Sequence, residues 1–449
     1  MNRVNESSAD VYVEDVFRTE ARDYLTREEV RALTPEIITE RLYALKPFIA
    51  AQAGETERRR RPSDEVWRAI LKTGYMYLAV PKRFGGLQAS MMDIMDATLP
   101  IAQADPSVGW LASFVVMSPR PAAGFPIALQ QQLYGSGQSP VFTTVVSPVG
   151  SAKKVEGGYR VSGRWAWATT IQFADYISMV CRVENGEGAP LRNFLAPASS
   201  VRIMDTWNAF GMVATGTHHV VAEDVFVPDT HASTANYGDP VWYQDVRSHH
   251  SDYDLFLGPP AAALALNVTI PVLGAAQGGV ELARERLLGY VRRIGGLPER
   301  EKMSAQIRLA HASSRVMAAD QLMRHAIREI FTMIRDTDAE SEDLFHQTRA
   351  WLAETCVLCR EAMNDLTLSA GTSIFYQDSP LGRAFRDVLT GGSHIVCDYD
   401  VCMQAWGQKM LGIQPEHRKG YGEREKIRDE ILATTKAHDY AVRLGQATA

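Results

Sequence analysis

Cysteine is scarce in this sequence, and neither sign of charge is in large excess. Five cysteines among 449 residues do not make the disulfide framework of a small secreted domain. Lysine and arginine total 47 against 53 acidic residues, a net charge of −6. The chain therefore lacks the basic surplus that binding to a phosphate backbone requires, and we expect no nucleic-acid partner.

Targeting and membrane-spanning patterns are also missing. The first residues, MNRVNESSADVYVEDVF, contain no apolar core like that of a signal peptide. The longest apolar-looking stretch, residues 258–276, is interrupted by Asn267, Thr269 and Pro271. A buried helix is a better interpretation of that stretch than a membrane span. We expect a cytoplasmic protein without a membrane partner.

Metal and nicotinamide motifs are absent as well. Cys356 and Cys359 lie in a helical pattern without a second pair at zinc-site spacing. His218 and His219 begin a predicted strand, where neighbouring side chains point to opposite faces. No Gly-x-Gly-x-x-Gly fingerprint follows a predicted strand. The sequence thus predicts no metal site and no built-in nicotinamide domain.

The chain does contain three regions of different periodicity. After an N-terminal extension at 1–35, which suits a flexible arm or a subunit clasp, apolar residues recur at helical spacing over 36–137. Residues 138–235 are rich in β-branched residues and turn signals, which predicts a β domain of about seven short strands. Helical spacing returns over 236–449, in segments long enough for a bundle.

Local strings in these regions resemble the acyl-CoA dehydrogenase superfamily, in collinear order over roughly residues 55–445. The resemblance implies an α+β fold with an N-terminal helical domain, a central β-barrel or sandwich domain and a C-terminal four-helix bundle. The strings are Gly74-x-x-x-Leu78-x-Val80-Pro81-x-x-Phe84-Gly85-Gly86-Leu87, Ala104-Asp105-x-Ser107-x-Gly109-Trp110, Gly163-Arg164-Trp165-Ala166-Trp167-Ala168-Thr169, Gly211-Met212-x-Ala214-Thr215-Gly216-Thr217 and Ser379-Pro380-Leu381-x-Arg383-x-x-Arg386-Asp387-Val388.

One stretch separates two chemistries within that superfamily. Acyl-CoA dehydrogenases remove a substrate proton with a carboxylate, which many members carry in a Glu-Gly-Thr turn before the last helix. Here residues 389–394 read Leu-Thr-Gly-Gly-Ser-His, and His394 is the only group among them that titrates near neutral pH. Some members carry the base on another helix. A dehydrogenase or oxidase with a displaced base is therefore one alternative, and a catalytically silent binding protein of the same fold is another.

The stretch 392–400, Gly-Ser-His-Ile-Val-Cys-Asp-Tyr-Asp, is similar to the last helix of the two-component (group D) flavin-dependent monooxygenases. This resemblance implies an enzyme that receives FMNH₂ or FADH₂ from a separate NAD(P)H-dependent flavin reductase. Through O₂ and a flavin hydroperoxide, it would hydroxylate an aromatic or amine-bearing small molecule in secondary metabolism or aromatic catabolism. It also implies a homotetramer.

The resemblance assigns three candidate catalytic residues. His394, at the start of the last helix, is expected to act as a base or hydrogen-bond donor beside the flavin. Asp398, four residues later on the same helical face, is expected to orient the His394 ring. Thr169 falls where the family places a hydroxyl and a backbone N–H beside flavin N5. The alternatives are a structural histidine and a threonine that serves β propensity.

The expected flavin-binding residues lie in the β region and near the last helix. Core packing is the alternative for Trp167, and a tight turn is the alternative for the glycines. An ion pair with Asp387 is the alternative for Arg386. The set comprises Thr143, Thr144, Trp167, Ala168, Thr169, Gly211, Thr215, Gly216, Thr217, Arg383, Arg386 and Ser393.

The expected substrate side comprises Trp110, Ser118, Trp207, His249 and His250. Ser118 stands where phenol-hydroxylating relatives often carry a second histidine that helps to deprotonate the phenol. A hydroxyl cannot act as that base, so the sequence disfavours phenol ortho-hydroxylation and leaves amine N-oxygenation and oxidation of a fused aromatic ring open. His249 and His250 are expected on a loop over the substrate, with solvated histidines as the alternative. Core packing is the alternative for Trp207.

Overall fold

The computed structural model describes residues 10–184, 190–237, 239–258, 260–289, 291, 298–335 and 341–413. Within them, helices precede one β-sheet and further helices follow it, which confirms the predicted α+β class. Residues 1–9 of the predicted extension and 414–449 of the predicted bundle lie outside the described residues.

The helices before the sheet begin at residues that cap them. Ser63, a residue type that favours the N-cap position, accepts a hydrogen bond from Val66 N at 3.2 Å. Asp105 accepts from Ser107 N and so begins the helix that carries Trp110. The helices are α1 (Arg27–Arg31), α2 (Pro35–Arg59), α3 (Asp64–Lys72), α4 (Met91–Ala104), α5 (Pro106–Val116), α6 (Pro119–Ala122) and α7 (Ile127–Tyr134).

The central region is a six-stranded sheet with the order β4-β3-β1-β2-β6-β5. Strands β1 and β3 pair in parallel, and the other neighbours pair antiparallel. The β1–β2 hairpin turns at Gly157, whose φ of +74° suits glycine. The strands are β1 (Phe142–Val155), β2 (Gly158–Ala168), β3 (Tyr176–Val183), β4 (Leu191–Pro197), β5 (Arg202–Met204) and β6 (His218–Pro228).

Helix α10 is the central helix of the C-terminal part. Its segment Ala262–Gly289 is long and apolar enough to cross a membrane, but 78% of its most apolar window is buried against the protein, as the sequence predicts for a core helix. It packs on α4, α5, α12 and α13. The helices of this part are α8 (Pro240–His250), α9 (Asp254–Leu257), α10 (Pro260–Gly289), α11 (Met303–Arg335), α12 (Ser341–Ala370), α13 (Pro380–Gly391) and α14 (Tyr399–Met410).

The described part of the N-terminal extension packs on its own chain. Val13 N donates to Ile203 O at 2.8 Å, which adds backbone pairing to the edge strand β5. Phe17 is 1% exposed and stacks near Phe173, with ring centroids 6.0 Å apart. The expectation of a flexible arm is therefore wrong for residues 10–17, because a buried aromatic side chain anchors them to the core.

Candidate active site

Thr169 follows β2 at a point where the strand is distorted. Trp167 has a φ of +58°, and the register of β2 against β6 shifts between Trp165 and Ala168. Such a bulge re-aims side chains. Trp165 is fully buried and donates from Nε1 to a backbone carbonyl, whereas Trp167 is 49% exposed. The core-packing alternative therefore describes Trp165, and the indole of Trp167 is left available at the surface of the sheet.

Three of the predicted threonines form one chain of hydroxyl groups. Thr169 Oγ1 lies 3.2 Å from Thr217 Oγ1, which lies 2.9 Å from Thr215 Oγ1. The Thr215 hydroxyl in turn donates to the carbonyl of Met212 at 2.9 Å. The backbone N–H of Thr169 donates to Trp167 O, so the hydroxyl is the group that Thr169 can offer to a ligand.

Thr143 supports this chain from the neighbouring strand. Its hydroxyl donates to Thr169 O at 3.0 Å and lies 2.8 Å from the hydroxyl of Thr170. Thr144 is the next residue of β1, and successive strand side chains face opposite sides of a sheet. Thr144 is half-buried, and its contact with a flavin stays a prediction.

The two predicted glycines are required by close contacts. A Cβ on Gly216 would lie 1.9 Å from Gln172 Oε1, and Gly216 has a φ of +51°. A Cβ on Gly211 would lie 2.2 Å from the carbonyl oxygen of Arg386. Both positions thus exclude larger side chains for reasons of backbone geometry. Their contact with a flavin stays a prediction.

His394 precedes a short 3-10 turn, Ile395–Cys397, rather than a continuous helix. Its Nδ1 accepts a hydrogen bond from Val396 N at 3.2 Å, and its ring centroid lies 6.0 Å from that of Trp110. Burial lowers the pKa of His394 to about 4, so the ring is neutral at physiological pH. A neutral imidazole that accepts at Nδ1 carries its proton on Nε2. The geometry favours a hydrogen-bond donor over a base.

Asp398 does not orient the ring of His394. It is exposed, and its Oδ1 accepts from Val401 N at 3.0 Å to cap α14. The prediction assumed one helix through both residues, and the 3-10 turn between them removes the i, i+4 relation. Ser393, also exposed, donates from Oγ to Leu389 O at 2.8 Å.

Trp110 forms an aromatic wall beside His394. It is 7% exposed, and its ring centroid is 5.5 Å from that of Phe114, one turn later in α5. A Cβ on Gly391, in the turn before His394, would lie 3.2 Å from the Trp110 ring. The structure thus brings together two residues that are distant in sequence and that the resemblance placed at one site.

Ser118 and Trp207 make hydrogen bonds to backbone or side-chain groups of the protein itself. Ser118 is buried, and its Oγ accepts from Phe142 N at 3.0 Å, which ties the helical domain to the strand that carries Thr143. The Trp207 indole donates to Met212 O at 3.0 Å, and its backbone N–H donates to His218 Nδ1 at 3.2 Å. Both side chains have structural partners, and their contact with a substrate stays a prediction.

The expected loop over the substrate is helix α8, and this prediction was wrong. Asp239 caps the helix by accepting from Val241 N at 2.9 Å. His250 is 1% exposed, and its Nε2 lies 2.7 Å from Gln130 Oε1. His249 uses its backbone carbonyl to accept from Arg83. These contacts place both histidines against the N-terminal helical domain instead of over His394.

Arg383 and Arg386 share one carboxylate partner. Arg383 Nε lies 2.8 Å from Glu57 Oε2, and Arg386 donates to the other oxygen of Glu57. The structural ion pair that the sequence offered as an alternative therefore exists, with Glu57 in place of Asp387. Both guanidinium groups thus have a carboxylate partner within the protein, and their role in binding flavin phosphate stays a prediction.

The sequence interpretation missed Asp387 and Asp105 as members of this site. Both are 1% exposed, and burial raises the pKa of Asp105 to about 6 and that of Asp387 to about 7. Asp105 precedes Pro106, a cap signal that could have identified it as the start of α5. Asp387 accepts from Met212 N, a partner 175 residues away that no local pattern indicates.

The site residues fit a flavin. An exposed indole at Trp167 offers a flat apolar surface to a tricyclic ring, and the half-buried hydroxyl of Thr169, which donates its own proton to Thr217, offers an uncharged acceptor to the polar edge of that ring. The Nε2–H of neutral His394 is an uncharged donor. Uncharged polar groups and aromatic surfaces suit a ring system that is bound in different redox states.

Comparisons with known proteins identify the family of the chain. Residues 41–124 match the family described as acyl-CoA dehydrogenase, N-terminal domain, and residues 266–399 match acyl-CoA dehydrogenase, C-terminal domain. The chain is 28% identical to indole-3-acetate monooxygenase from Pseudomonas putida, over 81% of this chain and 91% of that protein. It is 25% identical to the oxygenase component of p-hydroxyphenylacetate 3-hydroxylase from Acinetobacter baumannii, over 86% and 92%.

A solved structure shows the same fold over most of both chains. XiaF from Streptomyces sp., in complex with FADH₂ and glycerol, superposes with a TM-score of 0.78 at 25% identity, covering 87% of this chain and 98% of XiaF. The chain therefore belongs to the acyl-CoA dehydrogenase superfamily. Within it, the chain belongs to the branch of two-component flavin-dependent monooxygenases.

Proposed function

We propose that this chain is the oxygenase component of a two-component monooxygenase that hydroxylates an aromatic small molecule. The observation that carries the proposal is the neutral, half-buried His394 beside Trp110, where dehydrogenases of this superfamily often have a carboxylate. Because Nδ1 already accepts from Val396 N and the pKa of the ring is lowered, His394 is a poor base for an α-proton, but its Nε2–H can stabilise a reacting oxygen atom without adding a charge.

The proposed role of each site residue follows from its position. Reduced flavin, when bound, supplies the electrons that activate O₂. The indole of Trp167 would cover the ring, the Thr169 hydroxyl would accept a hydrogen bond at its polar edge, and His394 Nε2–H would donate on the substrate side. Trp110 and Phe114 hold the substrate ring by aromatic packing and help to exclude water from the reacting atoms.

The substrate class follows from what Ser118 does. Its hydroxyl accepts from Phe142 N, and at position 118 there is no imidazole to form a phenolate. A fused aromatic ring whose π-electrons are already nucleophilic needs no such base. Indole-3-acetate monooxygenase, one of the relatives, is named for a substrate of that kind. We therefore place fused aromatic rings ahead of simple phenols and amines as substrates.

The partners follow from the same chemistry. A separate flavin reductase supplies the reduced flavin, and because that reductase consumes NAD(P)H we place the enzyme in the cytoplasm. A homotetramer is supported by large apolar side chains that stand exposed on the C-terminal helices and their connecting turns, namely Leu368, Tyr376, Ile395, Met410 and Leu411.

Rapid mixing tests the function. The protein is mixed anaerobically with FMNH₂ or FADH₂, and oxygen is then added while absorbance is recorded. We expect a long-lived species that absorbs in the near ultraviolet before oxidised flavin appears, and the flavin that supports it is the physiological one. Reoxidation at the rate of free flavin would contradict the proposal. Bleaching of bound oxidised flavin by an acyl-CoA thioester would instead support the dehydrogenase with a displaced base.

A further inference from the structure

The turn Gly211-Met212 lies where the β domain meets helix α13. Gly211 packs so closely on α13 that a Cβ there would lie 2.2 Å from Arg386 O. Met212 has a φ of +51°, and its carbonyl accepts from both the Trp207 indole at 3.0 Å and the Thr215 hydroxyl at 2.9 Å. The carbonyl group of Met212 therefore holds two predicted site residues, Trp207 and Thr215.

Asp387 holds this turn in place from α13. Its Oδ1 accepts a hydrogen bond from Met212 N, and its side chain is buried. Its Oδ2 is also buried and has no hydrogen-bond partner among the residues that the structure describes. Because the two residues belong to different domains, this bond sets the position of the β-domain turn relative to the C-terminal helices.

The turn reaches both candidate catalytic residues. On one side, the Thr215 hydroxyl is hydrogen-bonded to that of Thr217, which is hydrogen-bonded to that of Thr169. On the other side, a Cβ on Gly391 would lie 2.8 Å from Met212 Cε, and the Gly391 carbonyl accepts from His394 N at 3.2 Å. A shift of Met212 would therefore change the placement of Thr169 relative to His394.

We propose that Asp387 is a positioning residue, which acts through Met212 to place the Thr169 hydroxyl and His394 on the two sides of the flavin. The inference rests on the proposed function, because it assumes that flavin binds between these residues. Asp387 touches neither the flavin nor the substrate in this role. Its effect is transmitted by the hydrogen bonds of the turn.

The charges around Asp387 make this role dependent on pH. Three charged groups face the Asp387 carboxyl: Glu57 from α2, Asp105 at the start of α5, and Arg383 from its own helix. Arg386 is farther away and binds Glu57. The pKa of Asp387 is raised to about 7, and burial is the largest cause. The carboxylates of Asp105 and Glu57 raise it further, whereas the hydrogen bond from Met212 N and the charge of Arg383 lower it. Above that pH the bond to Met212 N is charge-assisted, and below it the bond weakens.

The test measures flavin binding rather than turnover. Dissociation constants of FMN and FAD are determined by fluorescence titration at pH 6 and pH 8 for the wild type, Asp387→Asn and Asp387→Ala. We expect wild-type binding to tighten from pH 6 to pH 8. Asp387→Asn keeps an acceptor without a charge, so its binding is the same at both pH values. Asp387→Ala lacks the acceptor and binds about tenfold more weakly at pH 8, the size of one hydrogen bond to a charged group.

Two further variants separate positioning from general loss of structure. Thr215→Val breaks the hydroxyl chain without touching Asp387, and we expect it to weaken flavin binding as Asp387→Ala does. Asp23→Asn weakens a buried pair with Arg68 far along the chain, and we expect it to lower the melting temperature without changing flavin binding. Flavin binding by Asp387→Ala that equals the wild type, or an unchanged pH step in Asp387→Asn, would overturn the inference alone. Absence of binding by the wild type both of FMN and FAD and, under anaerobic conditions, of FMNH₂ and FADH₂ would overturn the proposed function as well.

Discussion

The donor role of His394 makes a quantitative prediction about pH. With a pKa of about 4, His394 is protonated in only about 1% of molecules at pH 6, whereas a histidine at its ordinary pKa of 6.5 would be protonated in about three quarters of them. We therefore expect the lifetime of the near-ultraviolet species in the rapid-mixing experiment to show no break between pH 5.5 and pH 7.5 that arises from His394.

Two variants of similar size test the donor itself. His394→Gln can place an amide N–H near the position of Nε2, whereas His394→Leu keeps the volume and removes the donor. Loss of one preorganised donor to a reacting oxygen costs about 10²–10³ in rate. We expect His394→Leu to shorten the lifetime of the species by about that factor and His394→Gln to retain most of it.

A particular result would refute this reasoning. If the wild type shows a break near pH 6.5 and His394→Gln abolishes it, then His394 ionises in the working range and acts as a base. Equal lifetimes for the wild type and His394→Leu would show that the histidine is structural. Flavin binding by each variant is measured first, so that a lost cofactor is not mistaken for a lost donor.

Three further predictions concern stability and the flavin turn. Burial lowers the pKa of His250 to about 4, so as the pH falls the unfolded chain is protonated at this residue before the folded protein is. The stabilising contribution of neutral His250 is therefore complete above about pH 6.5 and falls by up to roughly 3 kcal/mol towards pH 4. Denaturant titrations of the wild type and His250→Gln will compare the pH dependence of the free energy of unfolding, and equal pH slopes would contradict the prediction. Glu57→Gln leaves Arg383 and Arg386 without their carboxylate, and we expect a loss of about 3–5 kcal/mol in the free energy of unfolding, against less than about 1 kcal/mol for the exposed pair in Glu55→Gln. Gly216→Ala puts a methyl group against Gln172 at a positive φ, so calorimetric flavin titration should show weaker binding, and unchanged affinity would mean that this turn does not shape the site.

Local patterns predicted most of the architecture and the broad place of the site. Ser63 caps α3 as its sequence indicates, and the hairpin at Gly157 forms where its glycines predict. These signals work because capping and turn formation depend on a few consecutive residues. Helix α8 forms where a loop was predicted: its polar and aromatic composition resembles that of a loop, whereas Asp239-Pro240 is a usable start signal for a helix.

The prediction for Asp398 failed for a related reason. The i, i+4 argument requires a continuous helix, and Asp398 instead begins a new one by capping Val401. The residue type suits the predicted role, and the local backbone geometry decided which groups could meet.

The sequence by itself determined the fold class, the superfamily and the presence of a histidine in place of a carboxylate, since these depend on periodicity and on strings of adjacent residues. Only the tertiary structure decided that Glu57 pairs with Arg383 and Arg386, that Asp387 holds Met212, and that His394 is a half-buried neutral donor. Such pairings join residues far apart in the chain, and burial changes the pKa of a group through its surroundings. Neither effect leaves a mark in the local sequence.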